Sequence, residues 1–258
     1  MVTDTRDPLL AQARVLVASY RHAARAVRRE ASETHVHGYR IAARRIQALL
    51  ALWRPALCHP KLERLLQRAI GRLSALRDAQ VYAARFGASS TIVLPRVTVP
   101  LFSGLLARWL DALEQIPDTS GLARHYRRHL ARRLDGALSR LDEHPAGNVS
   151  HRQQLRRWHH LRRWHHLRLE IKQARYGAEL LLELGAGEAQ WVSAFSHWQE
   201  RLGQLQDWRQ WRRTLKGNKR QRRVRRKLKR KIVTRLRRLD CQQAELVGLK
   251  VAMLDSPL

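Results

Sequence analysis

The feature that most constrains the fold of this chain is a basic motif that occurs twice, 128 residues apart. In each copy a histidine is followed by a cationic residue three positions later and by another seven positions later. The two copies are His37, Arg40, Arg44 and His165, Arg168, Lys172. Because an α-helix turns by about 100° per residue, these positions fall within roughly 60° of one helical face. The repeat therefore predicts two helices that each present a basic, histidine-bearing surface.

An aspartate follows each copy of the motif at nearly the same distance. Asp78 lies 41 residues after His37. Asp207 lies 42 residues after His165. A repeat that keeps its register over this length indicates a duplicated structural unit. We expect each aspartate to hold a neighbouring arginine or histidine through a charge-assisted hydrogen bond, or to form an ordinary salt bridge within its bundle.

The spacing of apolar residues is helical throughout, and no β-type alternation of any length is present. Thr34 is the predicted N-cap of the second helix, and Pro55, Pro117, Gly185 and Gly217 mark helix ends. The predicted helices span 8–30, 34–53, 61–86, 101–115, 121–143, 151–184, 188–214 and 220–247. The sequence thus predicts an all-α fold of two four-helix bundles related by an internal repeat with pseudo-two-fold symmetry. The halves, 8–117 and 121–248, are expected to form a single domain over 1–258.

In both motif helices the apolar residues lie opposite the basic ones. The apolar faces comprise Tyr39, Ala43, Ile46, Leu50 and Trp53 in the first copy and Leu167, Ile171, Ala174, Ala178 and Leu181 in the second. We therefore expect the apolar faces in the bundle cores and the basic faces directed away from them. The first helix of the chain carries a further basic stripe of Arg14, Arg21, Arg25 and Arg28.

The net charge of +30 indicates a polyanionic partner. Lys and Arg number 51 against 21 Asp and Glu, an excess that costs folding stability through self-repulsion. Hydrophobic residues make up 44% of the chain, which is enough to bury a core and excludes global disorder. The expected partners are nucleic acid, an anionic membrane surface or a phosphate polymer.

Other parts of the sequence predict a cytoplasmic protein without a membrane span or a metal centre. The N-terminus lacks the apolar segment of a secretory signal, and the apolar stretch 92–102 is short and broken by Pro95 and Pro100. Cys58 and Cys241 form no CxxC pattern, so they carry no redox or zinc signature. We expect no metal site at the paired histidines, because their cationic neighbours repel a divalent metal. These pairs are His35/His37, His125/His129, His159/His160 and His165/His166.

The densest basic run extends from Lys216 to Arg238. Taken alone, it is typical of a nucleic-acid patch or a localisation signal. However, apolar residues recur through it at helical spacing, namely Val224, Leu228, Ile232, Leu236 and Leu239. We therefore interpret the run as the last bundle helix with a strongly basic outer surface.

These motifs together resemble those of the CHAD family, which is named for an α-helical domain with characteristic histidines. The matching residues are His37, Arg40, Arg44, Arg45, Arg77, Asp78, His165, Arg168, Lys172, Arg175, Tyr176, Leu205 and Asp207. The resemblance covers roughly residues 8–248 and implies two four-helix bundles with a basic surface that binds inorganic polyphosphate. It also implies an association with polyphosphate granules. Many members are fused to a CYTH-type triphosphate enzyme, but its ExExK signature is not found here, so the hydrolase activity is not implied.

We therefore predict a protein that is not an enzyme, needs no cofactor and binds inorganic polyphosphate along the basic faces of both halves. Arginine suits a row of phosphate oxygens because its guanidinium is permanently charged and binds in a bidentate manner. The predicted contacts are Arg21, Arg25, Arg28, His37, Arg40, Arg44, Arg45, His165, Arg168, Lys172, Arg175, Lys219, Arg222 and Arg226, supported by Asp78 and Asp207. Only His165 is followed by cationic residues three and seven positions later, Arg168 and Lys172. Whether His165 or His166 faces the ligand stays open.

Two alternatives remain at the level of sequence. A nucleic-acid-binding protein could use the same basic faces, and charge alone does not distinguish it from a polyphosphate-binding protein. An enzyme that uses the histidines with a metal or as phosphate acceptors is disfavoured by the scarcity of carboxylates near the motifs. The sequence leaves the oligomeric state and the preferred ligand length open.

Overall fold

A computed structural model describes residues 6–86, 98–142, 149–217 and 220–255. Residues 6, 7, 75, 77–79, 81–86, 142 and 149–159 are described by their backbone alone. In these ranges every regular element is an α-helix, which confirms the predicted all-α class. The first four helices are α1 (Arg6–Arg29), α2 (Glu33–Trp53), α3 (Pro60–Phe86) and α4 (Ser103–Glu114). The following five are α5 (Leu122–Asp142), α6 (Val149–Glu183), α7 (Ala189–Thr214), α8 (Arg222–Cys241) and α9 (Gln243–Asp255).

The chain divides into two compact units. The first comprises Met1–Tyr126 and Glu183–Ala186, and the second comprises Arg127–Leu182 and Gly187–Leu258. Each unit contains one copy of the motif, on α2 and on α6 respectively. The division predicted from the sequence, into halves 8–117 and 121–248, remains a prediction.

The ends of several helices follow from local chemistry. Gly185 and Gly217, which follow α6 and α7, adopt positive φ values of 69° and 93°, a backbone conformation that glycine tolerates because it has no Cβ. At the start of α2, the Ser32 hydroxyl accepts the backbone N–H of His35 at 3.3 Å. Ser32 is therefore the N-cap, and Thr34, which the sequence predicted for this role, lies within the helix.

The sequence predicted one helix over 220–247, whereas the structure has α8 and α9 in this region. The backbone N–H of Gln242 bonds to the carbonyl of Leu239 at 3.1 Å, three residues back rather than four. This tighter turn ends the α-helical ladder. The backbone N–H of Glu245 then bonds to the Gln242 carbonyl at 3.1 Å as α9 begins.

In the first unit, α1 packs against α2 and α4, and α2 packs against α3. Tyr20 and Tyr39 lie fully buried between α1 and α2, with their hydroxyl oxygens 3.0 Å apart. Tyr20 also donates to the carbonyl of Pro100 at 2.8 Å. Burial raises the pKa of Tyr39 to about 12 and raises that of Tyr20 further, so both hydroxyls stay protonated. The two hydroxyl groups and the Pro100 carbonyl therefore satisfy one another's hydrogen bonds inside the core.

In the second unit, α7 packs against α8 and α9. Its buried side chains are Trp191, Phe195, Trp198, Leu202 and Leu205. Arg133 on α5 joins α6 through a two-bond contact with Glu170. No helix in the described ranges combines the length and apolar composition needed to span a membrane.

Candidate functional site

The motif helix of the first unit is amphipathic in the predicted sense. Its buried residues are Val36, Tyr39, Ala42, Ala43, Ile46, Ala48, Leu49, Leu50, Leu52 and Trp53, which include every residue of the predicted apolar face. His37 is exposed, and Arg40, Arg44 and Arg45 are partly exposed. The basic side of α2 therefore reaches solvent while the opposite side forms core.

The arginines of α2 are held by specific polar contacts. Arg40 donates from Nη1 to the Ser74 hydroxyl on α3 at 3.4 Å. Arg44 donates from Nη1 to Oε1 of Gln47 at 3.0 Å. Arg45 lies 3.4 Å from a carboxylate oxygen of Glu183. A guanidinium has five N–H donors in a planar fork, so these contacts orient each arginine side chain on its helix.

His165, the motif histidine of the second unit, is packed against α7. It forms a hydrogen bond with Gln206, and its Nδ1 is buried without a partner in the described part of the chain. Burial lowers the pKa of His165, and the positive charges of Arg168 and Arg209 lower it further. The imidazole is therefore neutral near pH 7, and a nearby anion would favour its protonated form.

Arg209 on α7 belongs to this cluster, although it is not among the contacts predicted from the sequence. Its Nη1 donates to the backbone carbonyl of Leu161 at 3.1 Å and to Oε1 of Gln206 at 3.3 Å. Burial lowers its pKa, but a guanidinium stays protonated at any physiological pH. Arg209 follows Gln206 by three residues, about one helical turn, and this spacing is the sequence signal that predicts a contact between the two side chains.

The other predicted residues of this unit are less accessible. Arg175 is 17% exposed, is ion-paired with Glu179 and donates from Nε to Gln199 at 3.0 Å. Its guanidinium also lies 4.2 Å from the centre of the Tyr176 ring. Lys172 and Asp207 are partly exposed. Participation of Arg175 in ligand binding stays a prediction, since its described contacts already occupy much of the guanidinium.

His166 faces a different helix from His165. Its Nε2 lies 2.6 Å from Nη1 of Arg140 on α5 and 3.7 Å from a carboxylate oxygen of Glu170. His165 contacts α7 instead. Adjacent residues of a helix point about 100° apart, so only one of the two histidines can line each side of α6.

The remaining predicted contacts lie on α1 and α8. Arg21 is partly exposed and donates to the Ser103 carbonyl at 3.2 Å, whereas Arg25 and Arg28 are exposed. Arg222 and Arg226 are exposed on α8. Lys219 lies outside the described residues, as does the side chain of Asp78.

The α8 helix has the predicted basic outer surface. It carries eleven Lys and Arg residues and one acidic residue, and it buries Leu228, Ile232 and Leu239. Lys231 and Arg235 lie over the Trp208 ring of α7, at 5.3 and 5.6 Å from its centre. Cations therefore cover the face of this tryptophan.

These features define a class: an all-helical, strongly basic protein with a duplicated His/Arg helix face. The model of the CHAD domain matches residues 11–98 and 95–216, so the chain belongs to the CHAD-domain family. A crystal structure of the CHAD domain from the plant Ricinus communis is similar, with a TM-score of 0.58. The two share 18% sequence identity over 99% of this chain and 93% of that chain, which supports the fold. A comparison with curated proteins found no match.

Proposed function

We propose that this protein binds inorganic polyphosphate along the basic faces of both units and does not change it chemically. The observation that carries the proposal is the repeated pattern of α2 and α6, in which buried apolar residues lie opposite a histidine and two cations. On α2 the histidine is exposed and the arginines are partly exposed, whereas on α6 His165, Arg168 and Lys172 are all partly exposed. A linear phosphate polymer presents a row of anionic oxygens that arginine forks and lysine ammonium groups match. Membership of the CHAD family supports the same ligand.

The rival ligand is a nucleic acid, and the aromatic residues favour polyphosphate over a single-stranded one. Proteins that bind single-stranded nucleic acid stack its bases on accessible aromatic rings. Among the described side chains no Trp, Tyr or Phe is exposed. Phe102, Trp208 and Trp211 are partly exposed. Of these, Trp208 is covered by Lys231 and Arg235, and Phe102 stacks on Tyr20. The described ranges thus offer many phosphate contacts and few accessible aromatic rings.

We extend the proposal to a cytoplasmic protein that sits on polyphosphate granules without hydrolysing the polymer. Family membership supports this role. Clusters of cations contact a polymer backbone at many points, so binding to a large, charge-dense particle would be strong and reversible with salt.

The test is a titration of the full chain with orthophosphate, short polyphosphate and long polyphosphate at several salt concentrations. Affinity should rise with chain length and fall steeply with salt, by analogy with counterion release from DNA. Polyphosphate should also displace bound DNA at equal phosphate concentration, whereas DNA should not displace polyphosphate. Equal affinity for orthophosphate and long polymer would contradict the proposal, and efficient displacement by DNA would favour the rival.

A further inference from the structure

A basic cavity lies between α5 and α6 in the second unit, on the side of α6 that His166 faces. Its volume is about 330 Å³. The lining residues are His129, Arg132, Arg133, Gly136, Arg140 and Glu170. None of them is among the contacts predicted from the sequence. The motif histidine of this helix, His165, contacts α7 instead.

Two of the lining arginines are fixed in place. Arg133 donates to both carboxylate oxygens of Glu170, at 2.8 Å from Nε and 3.0 Å from Nη2. Arg140 donates from Nε to the Gly136 carbonyl at 2.8 Å. Its Nη1 lies 2.6 Å from Nε2 of His166, which must be the acceptor because a guanidinium only donates. Preordered side chains lose little entropy when an anion binds.

The cavity has an excess of positive charge and of hydrogen-bond donors. Three arginines line it against one glutamate. The described contacts of Arg133 and Arg140 each use two of the five guanidinium N–H groups, which leaves donors for a ligand. Arg132 is exposed and has no ion-pair partner among the described residues. Such an arrangement suits an anion with several oxygens.

Size and lining narrow the class of anion. A cavity of about 330 Å³ lies at the small end of ligand sites, which span roughly 300–1,000 Å³. Apart from the His129 imidazole, the lining side chains are arginines and a glutamate, with no Leu, Ile, Val, Phe, Tyr or Trp among the described residues, so polar and charged groups predominate. We propose that this cavity, which we call the α5–α6 pocket, binds a short condensed phosphate of the pyrophosphate or tripolyphosphate class. It is a site separate from the motif faces of α2 and α6.

Gly136 provides a way to test the pocket without touching its charges. A Cβ built on Gly136 would meet only Nη2 of Arg140, at an ordinary contact distance of 3.6 Å. A longer side chain at this position would extend into the cavity. Leucine has a higher helix propensity than glycine, so Gly136→Leu is expected to fold.

Calorimetric titration of the full chain with pyrophosphate tests the proposal. The wild type should bind one equivalent saturably, and Gly136→Leu should weaken this binding at least about tenfold. The matched control is Gly71→Leu in α3, where a Cβ meets nothing within 4 Å, and it should bind as the wild type does. Wild-type affinity in Gly136→Leu, or equal loss in both variants, would overturn the assignment.

Arg140→Gln provides a second variant, which removes a charge instead of filling space. It should weaken pyrophosphate binding about tenfold or more while the thermal midpoint of the unliganded protein confirms folding.

Titration with long polyphosphate distinguishes this site from the proposed polymer faces. Gly136→Leu should keep the wild-type affinity for long chains, whereas parallel loss of both ligands would show that the pocket is only part of the polymer surface. Failure of the long-chain proposal alone would leave pyrophosphate binding intact.

Discussion

The two copies of the motif share a sequence pattern but have different neighbours. On α2, His37 is exposed and Arg40 contacts the Ser74 hydroxyl. On α6, His165 is partly buried and lies beside Arg168 and Arg209. The first copy thus presents its histidine to solvent, whereas the second incorporates its histidine into a cationic cluster.

The two copies also differ in the sequence of the helix that follows each motif helix. When the sequences of the two copies are aligned at their aspartates, Gln80 of the first copy corresponds to Arg209 of the second. Arg77 likewise corresponds to Gln206. The order of arginine and glutamine around the aspartate is therefore reversed. Gln80 is buried, whereas Arg209 reaches the histidine cluster. A duplicated motif can thus keep its charge pattern while its supporting residues differ, and in the second copy they lower the pKa of the histidine.

The largest effect is expected from the motif arginines themselves. The double variant Arg40→Ala and Arg168→Ala should weaken binding of long polyphosphate by about 3–6 kcal/mol, since each hydrogen bond to a charged group is worth about 1.5–3 kcal/mol. Fluorescence anisotropy with labelled polymer measures the loss, and the two single variants show how it divides between the copies.

The matched control removes the same charge elsewhere. Arg64 and Arg68 are exposed on α3 and lie outside the predicted contacts. Their double alanine variant should cost less than about 1 kcal/mol, because solvent and salt screen exposed charges. An equal loss in both double variants would mean that net charge, and not the motif, determines affinity.

The second prediction concerns the core beneath each histidine. The residue before the histidine is Val36 in the first copy, with 0% exposure, and Trp164 in the second, with 1%. Trp164→Ala should lower the free energy of unfolding by about 3–5 kcal/mol, and Val36→Ala by about 2 kcal/mol, since the cost follows the buried volume removed.

Urea unfolding of the full chain measures both variants. Val15→Ala is the control, because Val15 is 56% exposed in α1 and its truncation should stay within about 0.5 kcal/mol. A Val36→Ala cost equal to that of Trp164→Ala would show that the two motif helices do not differ in their dependence on this position.

The sequence predicted those parts of the structure that depend on local patterns. Helical periodicity identified the class and the buried face of α2, because one apolar stripe determines which side of a helix meets the core. Glycines at 185 and 217 indicated helix ends for a similarly local reason. The chain has neither proline nor glycine at the break between α8 and α9, near Gln242, so no local sequence signal predicted this break.

Contacts between helices were harder to predict. The neighbours of His165 and His166 depend on how α5 and α7 pack against α6, which one helix pattern does not determine. The Arg209 contribution and the α5–α6 pocket follow from that packing. The pairing of Arg175 with Glu179 was different, because its spacing of four is readable in the sequence and predicts an ion pair on one helix.

The smallest effect tests the histidine chemistry that separates the two copies. The folded pKa of His165 is lowered by burial and by Arg168 and Arg209, so just below the ordinary value of about 6.5 the unfolded chain binds a proton that the folded chain does not. Stability should therefore decrease as pH falls through about 6.5, and solvent screening of the partly exposed ring keeps the effect modest. Urea unfolding between about pH 5 and 8 should show a shallower decrease in His165→Gln than in the wild type.

Arg209→Gln should raise the pKa of His165, as measured by NMR of the imidazole, because it removes one of the nearby positive charges. An unchanged slope in His165→Gln, or an imidazole that titrates at the ordinary value in the wild type, would remove the distinction between the two motif histidines.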